Sequence, residues 1–302
     1  MSKLSVTVLM GGPDAERDVS IASGTAVVDA LKHSGKFNVT AKVIDRPSKN
    51  NIARIKADIV FPVLHGPFGE GGPLQTLLEN VGIPFIGSSS KTSADAMDKV
   101  ITKQIAKDAG IQTPPWCTIT DKQQCTVPPP LVIKPINDGS SLDMAICYDN
   151  EQFENAKSQF LEVRPIMLVE TYIRGREITV GIIDGKALPT IEIKPPPDLP
   201  MYDFEAKYER DDTRYLFDSD IAKNNCVEDA VKLYELMGIR DIARADFIID
   251  DDGAWFLEIN TMPGFTSHSL VPMAAEKAGL TMPELCTMLV ENAINRIKPI
   301  GI

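Results

Sequence analysis

At 302 residues with 43% hydrophobic content, the chain is long enough for about two domains with real cores, by the prior of roughly 150 residues apiece. Its 31 basic and 42 acidic side chains leave a net charge of -11, which argues against nucleic acid or an anionic membrane as the main partner. No apolar run approaches the roughly 18 residues of a membrane span, the start reads as a strand rather than a signal peptide, and the five cysteines (Cys117, Cys125, Cys147, Cys226, Cys286) lack metal-ligand spacing, so a cytoplasmic protein with reduced thiols is expected.

In chain order, Val6 to Met10 reads as a short buried strand ending in Gly11-Gly12. Asp18 looks like the N-cap of a helix from about Val19 to Lys32, closed by Gly35. Asp58 to Leu64 is a second strand, followed by His65 and a glycine-rich turn, a helix through Leu74, Leu77 and Leu78, and a third short strand from Ile83 to Ile86. Strands alternating with helices imply a parallel sheet whose ligands sit beyond the carboxyl ends of the strands, where Glu16 and His65 both fall. Glu16 reads equally as a plain carboxylate at a helix N-terminus.

Gly87 to Ser93 is a candidate linker, Ala94 to Ala109 a single helix carrying Asp98-Lys99, and Thr113 to Pro130 a proline-rich linker leading into the strand Leu131 to Lys134. Lys134 then leaves that strand before Asn137-Asp138-Gly139-Ser140-Ser141, an arrangement that suits phosphate but also fits an ordinary turn. Met167 to Val169 runs into Glu170 and Ile173, and Glu177 to Ile183 begins a new sheet. Backbone between two sheets can read an adenine edge, and Glu177 can accept ribose hydroxyls or be a solvated strand residue. Residues 194–218 show no sustained period and read as a lid carrying Lys207-Tyr208. Asn225 to Leu236 is an amphipathic helix, and Thr281 to Glu284 is a capping box opening the last one.

Ala245 to Asp250 and Ala254 to Asn260 form a β-hairpin. With a three-residue loop, Asp251-Asp252-Gly253, Asp250 faces Ala254, Asp246 faces Glu258 and Arg244 faces Asn260. One face then carries Arg244, Asp246, Glu258 and Asn260, and the other Ala245, Phe247, Ile249, Trp255, Leu257 and Ile259. Two carboxylates and an amide oxygen are hard ligands suited to magnesium shared with phosphate, with Arg244 turned to a transferring phosphoryl group. The plainer alternative is a solvated polar face beside a salt bridge.

Seven segments carry a resemblance: GGPDAERDVS (11–20), LHGPFGEGG (64–72), MDK (97–99), KPINDGSS (134–141), YDFEAKY (202–208), RADF (244–247) and LEINTMPGFTSHSLVPMA (257–274). In order and spacing, over nearly the whole chain, the sequence resembles the D-alanine--D-alanine ligases of the ATP-grasp superfamily. The resemblance implies a mixed α/β and α+β architecture. A Rossmann-like parallel-sheet domain to about residue 87 would precede a two-part ATP-grasp fold, divided near residue 177.

It further implies ATP-dependent joining of two D-alanines through a D-alanyl phosphate, for peptidoglycan precursors, in a cytoplasmic homodimer. Lys99 and Lys134 would contact phosphates beneath a Gly139-Ser140-Ser141 loop, with Lys207 on the lid. Glu170, Ile173 and Glu177 would hold adenine and ribose, and Asp246, Glu258 and Asn260 two Mg2+ (or Mn2+). Glu16 and His65 would bind the first D-alanine, Ser269 and Leu270 the second, with Arg244 serving the phosphoryl group. Glu16, Ser140 and Tyr208 would form a hydrogen-bonded set. Tyr208 favours the dipeptide, since relatives making D-alanyl-D-lactate are expected to carry histidine there.

The chain departs from the family pattern at Asp143, where glycine is usual, at Phe204, where tyrosine is common, and at Gly71, where an acid is common. Asp143 adds a carboxylate close to the triphosphate. Two other readings stay open, a related carboxylate-amine ligase with different substrates and a non-catalytic ATP-binding protein.

Overall fold

The computed structural model describes residues 3–139, 143–196, 210, 212–217 and 225–297. The first strand, β1 (Ser5–Gly11), is a near-continuous apolar run, as a strand covered on both faces requires. Helix α1 (Arg17–Ser34) follows and ends on Gly35, whose φ of 67° is the left-handed cap that glycine adopts without strain. Glu16, not Asp18, occupies the cap position, and Asp18 lies inside the first turn near the positive end of the helix.

Strand β2 (Asn38–Ile44), helix α2 (Lys49–Ala53) and strand β3 (Ile59–Pro62) come next. They complete a parallel sheet in the order β2-β1-β3. The mostly exposed β2 is an edge strand with Ile44 as its one buried residue, so it has no continuous buried apolar run to reveal it. Helices α3 (Gly66–Gly69) and α4 (Pro73–Val81) follow. The sheet is covered twice: Val6, Val8 and Phe61 pack with Val27 and Leu31 of α1, while Leu9 and Val60 pack with Leu74 and Leu78 of α4. The expected strand at 83–86 is reduced to one bridge between Val60 and Phe85.

The helix expected over 94–109 is two helices, α5 (Ser90–Met97) and α6 (Lys99–Asp108), so the expected linker at 87–93 is shorter. Asp98 breaks them apart with ψ at 105°, and its carboxylate accepts from the N–H groups of Val100 and Ile101 at 2.9 and 3.1 Å. The break turns Lys99 out of α5's course, and its own N–H donates to the Ile136 carbonyl. The proline-rich stretch contains β4 (Trp116–Ile119), and β5 (Leu131–Lys134) follows as expected. With β6 (Ala145–Cys147), helix α7 (Asn150–Leu161) and β7 (Met167–Thr171) they build a second, antiparallel sheet, β4-β7-β5-β6, packed on α7 through Phe153 and Phe160.

The third sheet takes β8 (Arg176–Ile183), β9 (Lys186–Ala187), β10 (Ile191–Lys194), β11 (Arg214–Phe217), β12 (Ile242–Asp250) and β13 (Gly253–Asn260). Its path is β11-β10-β8-β12-β13, with β9 beside β8, and α8 (Cys226–Leu236) covers one face. Strands β10 and β11 thus occupy the ends of the stretch expected to be a lid. Most of that stretch, residues 197–209, 211 and 218, lies outside the described residues.

The hairpin has a shorter turn than expected. Asp250 pairs with Gly253, and a bulge between Asp246 and Phe247 leaves Leu257 as the extra residue on β13. Asp246 still faces Glu258 and Arg244 still faces Asn260, as counted, but through two offsetting irregularities. Before the bulge the faces are reversed on β13: Ala254 and Phe256 join Phe247 in the core, Phe256 with no exposure, and Trp255 and Leu257 are not on that face. The Trp255 indole N–H donates instead to Asp250 at 2.9 Å.

Two helices close the chain, α9 (Leu270–Lys277) and α10 (Met282–Ile297). The Thr281 N–H and hydroxyl both donate to Glu284, the carboxylate half of the expected capping box. Leu285, Leu289 and Ala293 of α10 share the first sheet's core, so the last helix completes the layer begun by α1. All five cysteines are free thiols, and no helix among the described residues is long and apolar enough to cross a membrane.

Candidate active site

A cleft of about 940 Å³ opens between the second and third sheets. Val132 and Ile146 form one wall and Ile248 and Leu257 the other, with Tyr172 and Ile173 at the crossing between sheets. Leu257 reaches this wall because the bulge turns it there. Beside these apolar walls the cleft is lined by the charged side chains of Lys99, Lys134, Asp138, Glu170, Glu177, Asp246 and Glu258. That combination suits a ligand with a flat apolar part and an anionic tail.

Beneath the cleft lies a buried ion cluster. Glu170, 3% exposed, receives Lys134 at 2.5 Å on one carboxylate oxygen and Lys103 at 2.6 Å on the other. Burial works against the Glu170 charge, but the two ammonium groups outweigh it and hold the carboxyl below its ordinary range. Burial also lowers Lys103 to about 8, although Glu170 opposes the shift. Sequence reasoning missed Lys103. It stands four residues after Lys99 on α6, the spacing that puts two side chains on one helix face, and that is the signal that could have found it. Glu170 directs its carboxylate to these lysines, which leaves its backbone for any contact with a base.

The acidic face of the hairpin is already paired with cations. Arg244 Nε and Nη2 donate to Asp246 at 2.9 to 3.2 Å, and the Thr179 hydroxyl donates to Asp246 at 2.6 Å. Lys99 Nζ lies 3.1 Å from Glu258 Oε2 and donates to the Asp138 carbonyl at 2.6 Å. Asn260 Oδ1 accepts from the Met262 N–H at 2.8 Å. Two carboxylates and an amide oxygen on adjacent strands are a hard-oxygen donor set, and the cations they attract mark where a divalent ion's charge would be stabilised. The set fits magnesium or manganese.

A second cavity of about 370 Å³ adjoins the first and shares Lys99, Asp138, Gly139 and Glu258 with it. Its polar lining also includes Glu70, Asn260 and Thr261. Glu16 stands at this junction: a Cβ built on Gly139 would lie 3.7 Å from Glu16 Oε2. The segment between β1 and α1 therefore brings its carboxylate close to Gly139, which follows β5. Sequence reasoning missed Glu70, which accepts from the Gly66 N–H at 2.9 Å. Burial first, and then the Glu16 charge, hold its carboxyl well above the ordinary range. Its place four residues after Gly66, inside the same glycine-rich turn as His65, was the available signal. His65 is 6% exposed, and burial, reinforced by Arg244, lowers its imidazole to about 4, so the ring is neutral.

Comparison with known proteins decides what this arrangement belongs to. A family model described as the D-ala D-ala ligase C-terminus matches residues 105–291, and its N-terminal counterpart matches residues 45–88. The chain belongs to the D-alanine--D-alanine ligase family. A D-alanine--D-alanine ligase of Methylacidiphilum infernorum is 37% identical over 98% of this chain and 97% of its own. One from Acinetobacter baumannii is 38% identical over 96% of each. Among solved structures, the Bacillus anthracis ligase complexed with ATP superposes with a TM-score of 0.85 at 31% identity, covering both chains fully. A D-Ala:D-Ser ligase from Enterococcus faecalis gives 0.83 at 26% identity, over 97% of this chain and all of its own.

Of the other residues that the D-alanine--D-alanine ligase resemblance singled out, Ser269 holds the cap position of α9, and its hydroxyl accepts from the Thr266 N–H at 2.9 Å. Gly264 is packed so closely here that a Cβ would meet Ser269 Oγ at 2.7 Å. The Leu270 side chain joins a core cluster with Ile191 and Ile193, leaving only its backbone for a ligand. Ser140, Ser141, Lys207 and Tyr208 lie outside the described residues.

Proposed function

We propose that the chain joins two D-alanines into D-alanyl-D-alanine at the expense of ATP, releasing ADP and phosphate, as a step of peptidoglycan precursor synthesis in the cytoplasm. One observation carries this reading: the cleft and the second cavity share a wall of Lys99, Asp138, Gly139 and Glu258, so a nucleotide's phosphate tail and a small amino acid would meet there. Membership of the family supplies the substrate class.

In this reading the adenine lies between the apolar walls, the backbone from Glu170 to Ile173 reads its edge, and Glu177 accepts ribose hydroxyls. Lys99 and Lys134 take the phosphates beside Gly139. Asp246, Glu258 and Asn260 would hold two magnesium or manganese ions, which supply charge neutralisation around the phosphates when bound. Glu16 receives the ammonium of the first D-alanine, and the neutral His65 lies near its carboxylate. That carboxylate attacks the γ-phosphate while Arg244 spreads the charge of the transferred group.

The amine of the second D-alanine, whose carboxylate meets Ser269 and the Leu270 backbone, then attacks the acylphosphate and phosphate departs. The functional division falls near residues 87 and 177, and the assembly is a homodimer.

A second reading, a different second substrate on the same site, is favoured by the likeness to the D-Ala:D-Ser ligase. Phosphate release and product identity, measured with D-alanine alone and with D-alanine plus D-serine or D-lactate, separate the two. Dipeptide of D-alanine alone as the main product supports the first; a mixed product formed in preference supports the second.

A further inference from the structure

Arg164 lies in the turn between α7 and β7, with no part in the site described above. Its Nη2 is 2.8 Å from Asp138 Oδ2 and 2.7 Å from Asp143 Oδ2, and its Nε donates to Asp143 at 2.8 Å. One guanidinium thus joins the two carboxylates that flank the loop after β5. Asp138 belongs to the site twice over. Its carbonyl accepts from Lys99 Nζ at 2.6 Å, and its carboxylate accepts from the Gly139 N–H at 3.0 Å. Asp143 is held at a φ of 51°, in the left-handed region that aspartate tolerates better than most residues but that still carries a cost.

We infer that Arg164 is a positioning residue for the nucleotide, clasping Asp138 and Asp143 so that the Asp138 carbonyl holds the Lys99 ammonium and neither carboxylate repels a polyphosphate. The bonds explain both parts of the role. A triphosphate brings several negative charges to a cleft lined by Asp138, and Asp143 would add another within reach of the same loop. Each ion pair alone is partly exposed, with 28% of the Arg164 side chain accessible, and would count for little as a surface salt bridge. The effect comes from where the two carboxylates are placed. The inference deepens the ligase reading and takes from it only that the cleft receives ATP.

The test is a double-mutant cycle of Arg164→Gln and Asp143→Asn, reading ATP and ADP dissociation constants by calorimetry beside kcat and the KM for D-alanine. Arg164→Gln is expected to weaken ATP about tenfold and ADP less, with the D-alanine KM within about twofold of wild type. Adding Asp143→Asn recovers about threefold or more of the ATP affinity, because one repelling charge is gone. A clasp that merely braces the fold would give a loss that Asp143→Asn does not relieve; that result, or unchanged ATP affinity in Arg164→Gln, overturns the inference. Absence of dipeptide synthesis by the wild type, with the binding pattern intact, would instead remove the ligase reading and leave the clasp standing.

Discussion

Asp246 and Glu258 face each other across β12 and β13 because a turn one residue shorter than counted is offset by one bulge residue, Leu257. The bulge therefore does two things at once: it aligns the oxygen donors, and it sends Leu257 to the apolar wall of the cleft.

Replacing either carboxylate by its amide removes a charge from that donor set without changing its shape. Glu258→Gln is expected to lower kcat at least about a hundredfold, the scale seen when a group stabilising transferred charge is lost. It should also raise the Mg2+ concentration for half-maximal activity. Metal-titrated phosphate-release assays on the variant check this, and an unaltered metal dependence would count against the assignment.

Glu170 behaves differently, since it neutralises two lysines that are 0% and 9% exposed. Glu170→Gln leaves both without their counter-charge and is expected to destabilise the protein by about 3 kcal/mol, as breaking a buried pair does. Glu177→Gln, in the cleft lining, should instead weaken nucleotide binding. Thermal unfolding with calorimetric ATP titration on both variants distinguishes the two carboxylates.

His65 offers a pH test. Its folded pKa of about 4 lies below the ordinary 6.5, so below pH 6.5 the unfolded chain takes a proton that the folded one refuses. Stability from this group is therefore whole at neutral pH and is lost as pH falls from 6.5 toward 4, by up to about 3 kcal/mol. Of the three histidines, His65 should show no imidazole NMR titration between pH 8 and 5, and a midpoint near 6.5 would contradict the burial argument.

The segment leaving the first sheet is tied to the third. Asp241, 2% exposed, accepts from the Gly87 N–H at 2.6 Å and from Arg296, which also donates to the Phe85 carbonyl at 3.2 Å. Asp241→Ala is expected to speed amide exchange at Gly87 and neighbouring residues about tenfold or more, from loss of roughly 1.4 kcal/mol or more of local protection. Exchange at Val8 and Phe61, inside the sheet, should stay unchanged, as mass spectrometry of peptic fragments can read.

Strands built on an apolar run were legible in the sequence: β1, β3, β5, β7 and β8 all fall where their apolar runs stand. Edge strands such as β2 and β11 were not, because a strand with one face in water and few buried positions leaves no run to read. The single helix expected over 94–109 overlooked that Asp98, a strong capping residue, can stop one helix and start another. In the site, the cross-strand pairing was found through an incorrect loop length that the bulge corrected. Lys103, Glu70 and Arg164 escaped because each acts on a neighbour rather than carrying a motif's chemistry, and only the fold shows which neighbours meet.

The central claim is that the carboxylate of one D-alanine attacks the γ-phosphate where the two cavities meet. D-alanine labelled in its carboxylate with heavy oxygen, incubated with ATP and Mg2+, tests it most directly by mass analysis of the phosphate released. The account predicts one labelled oxygen in each inorganic phosphate formed together with D-alanyl-D-alanine, and neither product with Glu258→Gln. Phosphate released without label, or no D-alanine-dependent release at all, would contradict it.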